Sequence, residues 1–181
     1  MASFLLVFAL CLVVQSAVAE DCKTGRSVVE DIDISKMQNS WKVVYINNKE
    51  LLAKFSCWIC DCSTSPDGVH KLQISIVDNS AEKNITTEGT YEKWNGHFLN
   101  CTLPDNGALT SVYNILAVEY GRYKIVGVCL DAIHGQPAVG IAFLTWTPDE
   151  DDLKAAKEML PKIGLDFKDF EPFCPLSEIK E

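Results

Sequence analysis

The sequence predicts an all-β protein, an eight-stranded antiparallel up-and-down barrel with one C-terminal α-helix packed against its outside. Three observations support this prediction. Short apolar segments alternate with turn signals at an even spacing, one amphipathic helix pattern comes near the C-terminus, and two late strands are apolar on both faces. Even spacing of short strands is typical of sandwiches and barrels. A helix that covers one side of the sheet favours the barrel, because it explains the doubly apolar strands.

The first 19 residues are predicted to be a secretory signal peptide. The apolar run 4–14 is too short to span a bilayer, and a small-x-small cleavage pattern follows at 17–19. Cleavage after Ala19 leaves residues 20–181, which we expect to form one domain of a secreted, extracellular protein. The net charge of -9 argues against nucleic acid and anionic membrane surfaces as partners.

Eight segments are predicted as strands, after an irregular stretch that contains a short helical turn near 33–37. The Asn-Gly pair at 95–96 is the strongest hairpin signal among the turns that separate them. The predicted strands are 40–47, 55–62, 70–77, 84–93, 96–103, 110–119, 122–130 and 137–146.

The helix that follows is predicted to begin with a capping box. Thr147 is the expected N-cap, Pro148 the first helical residue and Glu150 the third. Acidic residues at 149–152 suit the first turn of a helix, so they need no calcium ion to explain them. Gly164 is expected to end the helix. The apolar stripe at helical spacing consists of Leu153, Ala156, Leu160 and Ile163.

The strands that this helix covers should be apolar on both faces. Segments 122–130 and 137–146 have this character, whereas segment 70–77 alternates apolar and polar residues. One side of the barrel is therefore expected to lie between the interior and the helix, and the other side to meet water.

Alternation along the strands also predicts which side chains face the interior. An apolar interior with several tyrosine hydroxyls suits a small hydrophobic or amphipathic ligand with one polar group. The alternative is that the same side chains simply fill the barrel as a core. The residues predicted to line the pocket are Trp41, Val43, Tyr45, Ile74, Tyr91, Leu99, Tyr113, Val126 and Val128.

The residue patterns do not indicate catalysis, a metal or a cofactor. Cys57 and Cys60 have redox-motif spacing, but in a strand they point to opposite faces, without a helix N-terminus to lower a thiol pKa. Cys60, Cys62 and a histidine have zinc-ligand types but form no closed ligand set. The histidines are scattered, and no nucleophile motif accompanies them. We therefore expect a binding protein and not an enzyme.

Two modifications of a secreted chain are predicted. Asn84 and Asn100 each begin an Asn-x-Thr sequon, so each is expected to carry a glycan on a solvent-facing position. Loss of Cys11 with the signal peptide leaves seven of the eight cysteines. In a secreted chain these read as disulfides, and their odd number leaves at least one thiol free or paired between molecules.

Three segments, in order along the chain, resemble motifs of the lipocalin family. Residues 39–41, Asn-Ser-Trp, resemble the Gly-x-Trp that opens the first lipocalin strand. Residues 118–120, Val-Glu-Tyr, resemble the Thr-Asp-Tyr after the sixth strand, and Trp146 stands where the family has an arginine before the helix. The resemblance covers the chain after the signal peptide and is nearest to cockroach lipocalin allergens, as in segments 54–59 and 113–123.

The resemblance implies a secreted carrier without a cofactor that holds a lipid, a bilin, a pheromone or a biogenic amine. It also implies recognition by antibodies. The family's arginine packs over the motif tryptophan, so Trp146 is expected to stack on or near Trp41 instead. We expect a monomer or a weak dimer.

By the same resemblance, disulfides are expected between Cys22 and Cys129 and between Cys57 and Cys174. The cysteines left over are Cys60, Cys62 and Cys101, and the sequence does not choose between a Cys60–Cys101 and a Cys62–Cys101 bond.

Two other functions stand as alternatives to the carrier. One is an extracellular storage or structural glycoprotein whose cavity is incidental. The other is an isomerase of the kind found among lipocalins, which needs a reactive cysteine facing the barrel interior.

Overall fold

The computed structural model describes residues 26–103, 111–129 and 137–174. The strands in these ranges are β1 (Asn39–Ile46), β2 (Phe55–Thr64), β3 (His70–Asp78), β4 (Lys83–Asn95), β5 (Phe98–Thr102), β6 (Ser111–Glu119), β7 (Tyr123–Cys129), β8 (Pro137–Phe143) and β9 (Glu171–Pro172). They form one antiparallel sheet in the order β2-β3-β4-β5-β6-β7-β8-β1-β9, and β1 also pairs with β2, which closes the barrel.

The predicted eight-stranded up-and-down barrel is confirmed. Each of the first eight strands pairs with its neighbours along the chain, and β8 pairs with β1. The short β9, which adds to β1, was not predicted. The predicted signal peptide and Cys22 of the predicted Cys22–Cys129 bond lie outside the described residues.

Short helices cover the two ends of the barrel. The 3₁₀ helix Ile34–Met37 lies where a helical turn was predicted, and its Met37 is buried in the barrel core. We call this end the floor. At the other end, the unpredicted helix α1 (Lys49–Lys54) connects β1 to β2. The Asn48 side chain caps α1 by accepting the Leu51 N–H at 2.9 Å, and Leu51 is fully buried against the barrel core.

Helix α2 (Glu150–Met159) packs against the outside of the barrel, as predicted. Its predicted N-cap is wrong, because Asp149 and not Thr147 caps the helix. The Asp149 carboxylate accepts the Asp152 N–H at 2.7 Å. Asp caps a helix as well as Thr does, and its charge also complements the helix dipole. No helix in the described ranges is long and apolar enough to cross a membrane.

An outer apolar cluster joins α2 to the sheet. Ala156, Leu160 and Ile163 of the predicted stripe are buried in it. The sheet contributes Leu116, Ala117, Tyr123, Ile125, Val139, Ile141 and Phe143. The doubly apolar strands thus lie between the helix and the interior, as the sequence predicted.

The segment after α2 returns to the barrel wall and is cross-linked to it. Cys174 forms a disulfide with Cys57, as the resemblance implied. Phe173 is 1% exposed within the barrel core. Its N–H donates to the Val44 carbonyl at 2.9 Å, and its carbonyl accepts the Cys57 N–H at 3.2 Å. Both β1 and β2 have a register shift near this contact, so the segment seals an irregular part of the wall.

Candidate ligand-binding site

Two small voids lie side by side inside the barrel. The larger has a volume of about 40 Å³ and the smaller about 20 Å³. They share four lining residues: Cys60, Tyr113, Lys124 and Val126. Ligand pockets usually measure about 300–1,000 Å³, so side chains already fill most of this interior. A ligand of ordinary size must displace some of them to enter.

Most of the predicted pocket residues lie at these voids. Those that line one void or both are Trp41, Val43, Tyr91, Leu99, Tyr113, Val126 and Val128. Ile74 faces the interior and is fully buried in the barrel core, but it lines neither void. Their contact with a ligand stays a prediction.

The inward placement predicted for Tyr45 is wrong. Tyr45 belongs to the outer cluster, where its ring lies 5.1 Å from the ring of Phe167. The cause is the register shift of β1 between Val43 and Tyr45, because one extra residue in a strand reverses the faces that follow. Ile46 faces the interior instead and lines the larger void.

Two interior residues, Trp58 and Lys124, were not predicted from the sequence. Trp58 lies within a register shift of β2, between Ser56 and Ile59, which residue alternation does not reveal. Lys124 could have been found, because the alternation that places Val126 and Val128 inside also places Lys124 inside. A lysine on a strand usually faces solvent, but Lys124 is buried inside the barrel.

The Lys124 ammonium packs over the ring of the motif tryptophan. Lys124 is 6% exposed, and its Nζ lies 4.8 Å from the centre of the Trp41 ring. The indole N–H of Trp41 donates to the Met37 carbonyl at 2.9 Å, which fixes the ring at the floor. Trp146 is half-buried and makes no ring contact with Trp41 within the described part of the chain, so the stacking expected of it is wrong. A lysine from β7 supplies the cation on this ring.

Three cysteines at the floor carry thiols rather than disulfides, so neither bond left open by the sequence is formed. The Cys60 and Cys62 sulfurs lie 4.0 Å apart on β2. Their hydrogen bond lowers the pKa of Cys62 to about 7, and the Lys124 ammonium acts in the same direction against the effect of burial. The same hydrogen bond and burial raise the pKa of Cys60, and burial raises that of Cys101. Cys62 is therefore the thiol of this group that ionises near neutral pH.

The cysteines at the floor do not form part of a metal-binding group among the described residues. Within the described ranges, no three His, Cys, Asp or Glu side chains are placed to hold a metal ion. The arrangement can offer a ligand mostly apolar walls, one ammonium and one ionisable thiol.

The two predicted glycan sites lie on the strands β4 and β5. Asn84 is exposed, and Asn100 is half-buried, with its side-chain amide donating to Glu92 at 3.5 Å. Neither residue belongs to the barrel core. Glycosylation at both positions stays a prediction.

The chain is similar in structure to several solved proteins, although no family model matches it. A major allergen of cockroaches, Per a 4, superimposes with a TM-score of 0.70 at 23% identity, over 84% of this chain and 94% of that chain. Insecticyanin from the tobacco hornworm Manduca sexta superimposes with a TM-score of 0.67 at 16% identity, over 84% of this chain and 85% of that chain. The amine binding protein of Rhodnius prolixus, in its tryptamine complex, has a TM-score of 0.62 at 16% identity, over 85% of this chain and 88% of that chain. These likenesses confirm, as a likeness of fold, the resemblance that the sequence indicated.

Proposed function

We propose that this chain, which has the lipocalin fold, is a secreted binding protein that holds one small hydrophobic or amphipathic molecule inside its barrel. The observation that carries the proposal is the pair of adjoining voids lined by side chains from strands all around the barrel. Structurally similar proteins described as amine binding, one of them in complex with tryptamine, support it. The Cys57–Cys174 disulfide supports secretion, because disulfides persist in oxidising compartments.

Ligand entry requires movement, because the voids are small. Leu51 of α1 is fully buried at one end of the barrel, and Met37 is buried at the floor. Helix α1 has only six residues, and the Asn79 side chain and backbone hold it through the Leu52 and Lys54 carbonyls. Displacement of α1 with Trp58, which follows it on β2, is the entry route that we propose.

The small volume of the voids favours one alternative, a storage or structural glycoprotein whose interior is simply its core. A filled barrel needs no ligand to be stable, and its side chains have no reason to move. The two functions differ in whether a molecule enters the interior.

Native mass spectrometry of the protein from its source tests the proposal. We expect a population whose mass includes one noncovalent small molecule, and N-phenyl-1-naphthylamine should bind the emptied protein at one site. Val126→Phe fills the shared lining of both voids and should abolish binding of this probe. Overpacking costs about 1–3 kcal/mol, so circular dichroism must first show that the variant folds.

The matched control is Val69→Phe, the same change at a side chain that is 41% exposed. It should bind the probe as the unmodified protein does. An empty protein that binds no probe, or a probe that binds Val126→Phe unchanged, contradicts the proposal and favours the storage alternative.

A further inference from the structure

Lys124 places a positive charge inside a mostly apolar barrel. The residue is 6% exposed and lines both voids. Its ammonium contacts the Trp41 ring, and no carboxylate in the described ranges forms an ion pair with it. A buried ammonium without a carboxylate partner is unfavourable, and the neighbouring Cys62 thiol balances its charge only when that thiol is ionised. A cation–π contact offsets only part of that cost.

The charge balance of the interior selects the sign of a ligand. The buried polar or charged side chains of the described residues are Asn48, Ser56, Thr87, Asn114 and Lys124, and none of them is acidic. An organic ammonium that entered the barrel would meet a like charge and find no carboxylate. A carboxylate would meet the opposite charge at a place where little water weakens the attraction.

The lining of the larger void gives a direction along which a ligand chain would lie. Its lining follows one face of β7 from Lys124 through Val126 to Val128. The four steps from Lys124 to Val128 along an extended strand span about 13 Å. In an interior that side chains already fill, an unbranched chain along this face displaces less than a fused ring system does, because its cross-section is smaller.

From these observations we infer that the ligand is a linear aliphatic carboxylic acid, with its carboxylate against the Lys124 ammonium at the floor and its chain along β7. The inference deepens the proposed function and depends on it, because it names the chemical class of the molecule that the barrel holds. It excludes the biogenic amines from the ligand classes that the sequence resemblance implied.

Among the described residues that line the smaller void, the Cys62 thiol competes for this ammonium. It ionises near pH 7, whereas an aliphatic acid is ionised well below that pH. The other side chains with an ionisable thiol or hydroxyl that line the smaller void are Cys60, Tyr91, Cys101 and Tyr113. Burial raises the pKa of Tyr91 and Cys101, so both are neutral at pH 7. Between pH 8 and pH 6 the Cys62 thiolate disappears while the ligand keeps its charge, and acid binding should tighten.

Three probes of equal chain length test the inference: dodecanoic acid, dodecan-1-ol and dodecylamine. Their binding to the whole protein is measured by calorimetry below their micelle-forming concentrations. We expect the acid to bind about tenfold tighter than the alcohol, because a charge-assisted contact adds to the same chain contacts. The amine should bind weakest of the three.

Lys124→Met removes the charge and keeps a side chain of similar length. It should abolish the preference for the acid while leaving the alcohol bound as well or better, which also shows that the variant is folded. Lys124→Arg should keep the preference. Lys71→Met, at an exposed lysine on β3, is the matched control and should change none of the three affinities.

The outcomes separate the two proposals. This inference is overturned if the amine or the alcohol binds as tightly as the acid or more tightly. It is also overturned if the preference for the acid survives Lys124→Met. Either result leaves the proposed function standing. Failure of all three probes to bind overturns both. If Lys124→Met does not fold, the comparison of the three probes on the unmodified protein decides the matter.

Discussion

Loss of the Cys57–Cys174 cross-link should be the most costly single change to the stability of this protein outside its core. The bond joins residues that are 117 apart in sequence. In the chain-entropy model a closed loop of that length contributes about 5 kcal/mol to the free energy of unfolding. The contacts that the bond holds in place are the buried Phe173 ring and its two backbone hydrogen bonds to β1 and β2.

The assay is guanidinium denaturation of Cys57→Ser, Cys174→Ser and the double variant, followed by tryptophan fluorescence. Each single variant should lose about as much stability as the double variant, because either change removes the same cross-link. The midpoint of thermal unfolding should fall by about 10–20 °C for a domain of this size. Losses below about 1 kcal/mol, or single losses that add up to the double loss, would refute the reasoning.

Three further predictions concern the floor and the helix start. Trp41→Ala should lower the free energy of unfolding by about 3–5 kcal/mol, because Trp41 is 0% exposed; an unchanged melting curve would contradict its place at the floor. Asp149→Ala should cost about 1 kcal/mol and Thr147→Ala much less, because the Asp149 carboxylate is the one that accepts the Asp152 N–H; equal losses in denaturant unfolding would be against this assignment. Cys62 should react with iodoacetamide faster than the other free thiols, because its lowered pKa makes the thiolate available above about pH 7. Mass-spectrometric peptide mapping should show a rate that rises through pH 7. A rate that rises only above pH 8 would show that the hydrogen bond with Cys60 does not lower the pKa of Cys62.

Local patterns were enough to predict the barrel and much of its interior. The even turn spacing gave eight strands, and alternation placed Trp41, Val126 and Val128 inside, where the structure has them. The apolar stripe of the helix predicts that the strands beneath it are apolar on both faces. The helix and these strands pack together in the outer cluster. These features depend on residue periodicity, which the sequence carries directly.

The missed features depend on contacts between distant parts of the chain. The bulge that turns Tyr45 outward coincides with the return of the C-terminal segment, whose Phe173 N–H bonds to the Val44 carbonyl. Helix α1 is too short to have a clear period, and its position depends on Asn79, which lies beyond β3. Lys124 is a different case, because a lysine on a strand usually faces water, and the cation–π contact that buries this one joins β7 to Trp41 on β1.

The measurement that tests the central claim most directly is methyl chemical-shift mapping of the labelled protein during a titration with dodecanoic acid. If the barrel interior is the binding site, the methyl signals of Ile46, Val126 and Val128 should move together and saturate at one ligand per chain. Those of Val139 and Ile141, which face α2 in the outer cluster, should stay nearly still. Shifts confined to the outer cluster, or no saturable shift at all, would contradict a ligand-holding barrel.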